Sequence, residues 1–94
     1  METGEQLRAA RAALKMDQSE LAELSGVSVD TIKRLERMEG ILQAQMATTK
    51  ALRDVLTAEG VVFTPENGVA AGVALRKDPP PNIRARKARG GLNG

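Results

Sequence analysis

Cysteine and histidine are both absent from the 94 residues, tryptophan and tyrosine are missing too, and phenylalanine occurs once. Without cysteine there are no disulfides and no thiolate zinc sites, and nothing points to export. Without histidine the commonest general base and the commonest metal ligand are both lost. No serine sits in a G-x-S-x-G elbow, and no G-x-x-x-x-G-K-[ST] loop is present to cradle a phosphate. An enzyme is not expected, nor a metal or a cofactor. No apolar run approaches the roughly eighteen residues of a membrane span. The start, METGEQLRAARAALK, is amphipathic and lacks the apolar core of a secretory signal, so a cytoplasmic protein is expected.

The charge is unevenly placed. The overall +2 divides into eight Lys or Arg against eleven Asp or Glu in residues 1–75, and six Lys or Arg against Asp78 in residues 76–94. A chain of this length has room for one small domain and a tail. Whatever the domain binds must therefore be recognised by local placement of charge rather than by a basic surface overall.

The stretch QSELAELSGVSVDTIKRLE, Gln18 to Glu36, carries the clearest pattern. Leu21 is an apolar anchor, Ala22 is small enough for helices to cross closely, and Gly26 suits the left-handed end of a helix. Val27 packs the corner, Ser28 caps the next helix, and Ile32 and Leu35 recur on its inner side. Two short helices about a glycine turn are what a helix-turn-helix requires, and its second helix is the one that enters a DNA major groove. Lys33, Arg34 and Arg37 all fall on that second helix, expected to last until about Glu39.

With Leu7, Arg8, Arg11 and Leu14 upstream, the segment from about residue 4 to 58 resembles the Cro and lambda-repressor class of helix-turn-helix proteins, the xenobiotic-response-element family. The resemblance implies a mainly α domain of four or five helices that binds an operator on double-stranded DNA, usually as a homodimer. It places base-reading side chains at Val29, Asp30 and Lys33, with Arg34 close behind. Lysine or arginine suits guanine O6 and N7, and valine suits a thymine methyl. Asp30 can accept from a cytosine amine or serve only the helix dipole. Thr31 lies on the same outward face, and Arg37 suits backbone contact. Gln18 falls where members of the family touch a phosphate at a helix N-terminus, and Ser28 is a cap first and a phosphate contact second. Arg11 and Glu36 stand where the family commonly has a partly buried ion pair, and are assigned to structure.

Around the motif, helix one is expected from Gly4 to about Lys15, capped by Thr3 with Gln6 as capping-box partner and lined by Leu7, Ala10 and Leu14. Asp17 caps the second helix, with Glu20 as its own capping-box partner. Residues 41–60 read as one helix, or two broken near Thr48–Thr49, with Leu42, Met46, Leu52, Val55 and Leu56 as core candidates. Val61–Thr64 and Gly72–Arg76 read as a small β-hairpin anchored by Phe63. The divisions expected are a DNA-binding domain (1–60), a hairpin that serves as dimerisation element (61–76) and a disordered basic tail (77–94). The hairpin is the first choice of dimer surface and the helix bearing Leu52 and Leu56 the second. Arg84, Arg86, Lys87 and Arg89 in the tail are candidates for phosphate contact.

The function expected is a sequence-specific regulator of transcription, a repressor or autoregulator of bacterial or mobile-element origin reading an inverted repeat. A protein-interaction module on the same fold is the alternative, and tail-driven binding without sequence preference a third.

Overall fold

Thr3 starts the first helix by taking the Gln6 amide on its hydroxyl, while the Gln6 side chain takes the Thr3 amide in return. The structure, a computed structural model, describes residues 1–65, 68 and 70–77. Four helices and a hairpin follow one another: α1 (Gly4–Ala13), α2 (Gln18–Ser25), α3 (Val29–Glu36), α4 (Met46–Ala58), β1 (Val61–Thr64) and β2 (Gly72–Leu75). This is the expected mainly helical architecture, with four helices.

Local chemistry sets the boundaries of the first three helices. α1 gives out two residues early, at a Leu14 cap, and Lys15 turns the chain through a left-handed φ of 54°. Asp17 then caps α2 by accepting from the Glu20 amide at 2.7 Å. Gly26, at φ 78°, closes α2 with its amide on the Ala22 carbonyl, a conformation that costs a β-carbon-bearing residue roughly 1–2 kcal/mol. Ser28 caps α3. That helix ends at Glu36 rather than near Glu39, because the amides of Arg37 and Met38 turn back to Arg34 and Leu35 in tight three-residue turns. Arg37 therefore sits at the helix end.

The core joins all the elements. Leu7, Ala10, Met16, Leu21, Ile32, Leu35, Leu52, Leu56 and Val61 are each at most 1% exposed. Leu14, Ala22, Val27, Leu42, Val55 and Phe63 pack around them half-buried. Gly4 lets α1 approach α3: a β-carbon there would overlap the Leu35 carbonyl oxygen.

Residues 41–60 differ from expectation in three ways. There is one helix, unbroken at Thr48–Thr49, and it begins only at Met46 after an extended segment in which Ile41 bridges to Thr3. Met46 is 86% exposed, not core. At roughly 100° per residue it lies about 120° around the helix from Leu52 and about 80° from Leu56. Those two leucines are wholly buried, which removes them as a surface for a second copy.

The hairpin pairs antiparallel, Val61 with Leu75 through Thr64 with Gly72, and Arg76 lies just past its end. Its deepest anchor is Val61, with Phe63 half-buried beside it. It rests on α1 and α4. Gln6, 1% exposed, ties it down: the side-chain amide donates to the Thr64 carbonyl at 3.1 Å and the Gly72 carbonyl at 2.8 Å. Its oxygen accepts the Glu2 and Thr3 amides, so every polar atom of this buried side chain is used. The tail beyond Lys77, including Arg84, Arg86, Lys87 and Arg89, lies outside the described residues.

Candidate nucleic-acid interface

The rotation of α3 about its own axis decides which side chains reach outward; buried Ile32 and Leu35 set it, a local cap closes its start, and bonds to two other helices hold its end. At the start, the Ser28 hydroxyl accepts the Thr31 amide at 3.2 Å and shares a hydrogen bond with the Thr31 hydroxyl at 2.9 Å. Both hydroxyls are thereby occupied in the cap. At the other end, Glu36 is 5% exposed and is held by two other helices. Arg11 of α1 donates through Nε at 2.8 Å and Nη2 at 3.0 Å, a two-pronged pair, and Gln18 of α2 donates through Nε2 at 3.1 Å. Arg11 also reaches the Met16 carbonyl at 2.9 Å. The hydrogen bonds to Glu36, outweighing the cost of burial, push the Arg11 pKa above its ordinary value.

With Ile32, Leu35 and Glu36 turned inward, the opposite face presents Asp30, Lys33 and Arg34 to solvent, with Arg37 just beyond the helix. Val29 and Thr31 are half-buried at its start. Among the described residues no carboxylate lies within ion-pair distance of Lys33, Arg34 or Arg37. Lys33 and Arg37 are four residues apart, where like charges repel. A row of exposed, unneutralised cations on a helix rigidly held from behind is suited to an anionic partner.

Residues 7–48 match a helix-turn-helix family model, covering α2 and α3 whole and most of α1. This segment is a helix-turn-helix domain of the Cro/lambda-repressor class. No curated protein matches the chain. Domains of this class bind DNA and are typically non-enzymatic. No helix among the described residues is long and apolar enough to cross a membrane.

The helix-turn-helix domain arranges its candidate residues unequally. Ser28, Val29, Asp30, Thr31, Lys33 and Arg34 share one exposed end and face of α3. Gln18 stands apart from them, its side chain turned to Glu36. Its backbone amide lies in the first turn of α2, where amides have no acceptor within the helix, although the Asp17 carboxylate already serves that terminus. Glu5 of α1 lines a cleft with Arg8 and Arg37. One exposed cation is part of the sequence pattern but is given no binding role there. Arg8 of α1 lies beside Gln18, Lys33 and Arg37, and the signal for it was its spacing of three from Arg11, which puts both arginines on the side of α1 that meets α3.

Proposed function

We propose that the chain is a sequence-specific, double-stranded DNA-binding regulator of transcription, a dimeric repressor or autoregulator that occupies an inverted-repeat operator. The observation that supports this most is the outward face of α3, where Lys33 and Arg34 are exposed, without carboxylate partners among the described residues, on a helix clamped at its Glu36 end. In this reading Val29, Asp30, Lys33 and Arg34 meet base edges in the major groove, while Gln18, Ser28, Thr31 and Arg37 meet the backbone. The negative balance of residues 1–75 is offset locally by these cations and by the tail, whose Arg84, Arg86, Lys87 and Arg89 add phosphate contacts of little sequence information.

Selection of duplexes from a random pool, followed by titration of Lys33→Ala and Arg34→Ala, tests the reading. Each substitution lowers affinity for the selected duplex by about 1–3 kcal/mol and relaxes preference at one position. Equal losses on selected and scrambled duplexes reduce both residues to phosphate contacts. Failure to enrich any duplex favours a protein-interaction module instead.

The second copy is assigned to the hairpin. Val62, 46% exposed, pairs with exposed Ala74 on the face away from buried Val61, and a two-stranded sheet leaves strand edges that need cover. Because Val61 belongs to the core, removing the hairpin would damage the domain. Val62→Lys with Ala74→Lys in the full chain is the cleaner test, and light scattering that still reports a dimer would rule the hairpin out.

A further inference from the structure

Two clefts open on either side of the Glu36 segment, and they differ in charge. The larger, about 670 Å³, is bordered by Glu5, Arg8, Glu36, Arg37, Met38 and Glu39, so that with Glu36 paired to Arg11 two acids balance two cations there. The narrower, about 290 Å³, is bordered by Arg8, Gln18, Lys33, Glu36 and Arg37. Its one acid, Glu36, is already neutralised by the two-pronged pair with Arg11. Three cations, Arg8 on α1, Lys33 on α3 and Arg37 just past its end, thus border a small opening with no unpaired acid.

Arg8 has little to do in the protein itself. Its one hydrogen bond to a described residue runs from Nη1 to the Glu36 carbonyl at 3.5 Å, the long limit for such a bond. A guanidinium has five N–H donors in a planar fork that matches a phosphate. Arg8 and Arg37 border both clefts. Only on the Gln18 and Lys33 side does the charge favour an anion.

We propose that Arg8, together with Arg37, grips one backbone phosphate of bound DNA at the narrower cleft, beside the base-reading Lys33, so that α1 joins α2 and α3 in the interface. This rests on the DNA-binding reading above and extends it to a helix outside the motif. The contact carries no sequence information, and it sets how far α3 can slide along the groove. Gln18, whose side chain is committed to Glu36, also lines the cleft.

The test uses the full chain with a duplex selected by the wild type and a scrambled duplex of equal length, each titrated between about 50 and 200 mM salt. Arg8→Gln weakens binding to both duplexes by the same factor, about five-fold at 0.15 M salt, and flattens the log–log salt slope by about 0.9 per bound chain. Arg8→Lys keeps the slope, and the thermal midpoint of both variants stays at the wild-type value. If Arg8→Gln keeps the wild-type slope, the proposal is overturned and the arginine merely braces the end of α3, which a lowered midpoint would show. A loss confined to the selected duplex also overturns it, in favour of base reading. A wild-type chain that binds no duplex defeats the DNA-binding reading itself, an outcome distinct from an unchanged slope in a chain that binds.

Discussion

Helices α3 and α4 are both anchored by two wholly buried apolar residues, Ile32 and Leu35 in one and Leu52 and Leu56 in the other, but only α3 adds a buried polar clamp. α3 follows a left-handed glycine, begins on a serine cap and ends on a carboxylate gripped by two neighbouring helices. α4 follows an irregular segment, begins at Gln45 without a side-chain cap bond, and is held by Leu52 and Leu56 against α2 and β1. Hydrogen bonds and ion pairs are directional and fix a helix in rotation; apolar burial is not directional and tolerates small shifts. A helix that must aim side chains needs the first kind of support. A helix that only backs the core can rely on the second.

Substitutions on the two sides should separate these roles. The largest effect is expected from Leu52→Ala, about 2–5 kcal/mol of stability from lost burial and a cavity. Thermal or urea unfolding measures it, and preference among duplexes stays as in the wild type. Arg11→Ala strands the Glu36 carboxylate with only Gln18 and should cost about 3 kcal/mol, the low end for a buried pair because Arg11 retains 19% side-chain exposure. Unlike the leucine change, it also blurs discrimination between selected and scrambled duplexes. If both variants discriminate equally well, the contrast between the helices fails.

Smaller changes sharpen the same contrast at the helix starts. Ser28→Ala removes a cap in use and should cost about 1 kcal/mol, whereas Gln45→Asp supplies one that α4 lacks and should add about 0.5–1 kcal/mol. Chemical denaturation of the two variants gives both signs. The smallest effect belongs to the exposed Lys50–Asp54 pair on α4, where Lys50 holds the Asp54 carboxyl below its ordinary value. The folded value is the lower one, so the pair stabilises above the unfolded carboxylate's value of about 4 and the benefit fades as pH falls through the folded value. Melting curves of Asp54→Asn and wild type should converge slightly on acidification.

The first half of the chain was far more legible than the second, for a physical reason. Thr3, Asp17, Gly26 and Ser28 act on amides or carbonyls two to four residues away, so their meaning is written beside them in the chain. Met46 is apolar, but its spacing of six from Leu52 already turns it about 120° away, so its exposure could have been read from the spacing. The early end of α3 depends on tight turns at Arg37 and Met38 that no residue type announces. For the interface, the exposed face of α3 followed from its inward Ile32 and Leu35. The approach of Arg8 to Lys33 and Arg37 did not, since it depends on how α1 packs across α3. Gly4 is another case: its importance comes from the Leu35 carbonyl, 31 positions away.

The amide of Gln6 joins residue 6 to carbonyls 58 and 66 positions further along. While the hairpin is unformed, water can satisfy that amide, so the helices can assemble without it. Drawing such a long segment back carries a loop-closure cost that is recovered only when the bonds and the Val61 contact form together. The hairpin therefore arrives late in folding and leaves early in unfolding, as a latch over an assembled helical body. In hydrogen exchange the amides of Val61–Thr64 would open at a lower free energy than those of the buried turn around Leu35. A second copy that gripped the hairpin would close that early exit, coupling assembly to kinetic lifetime.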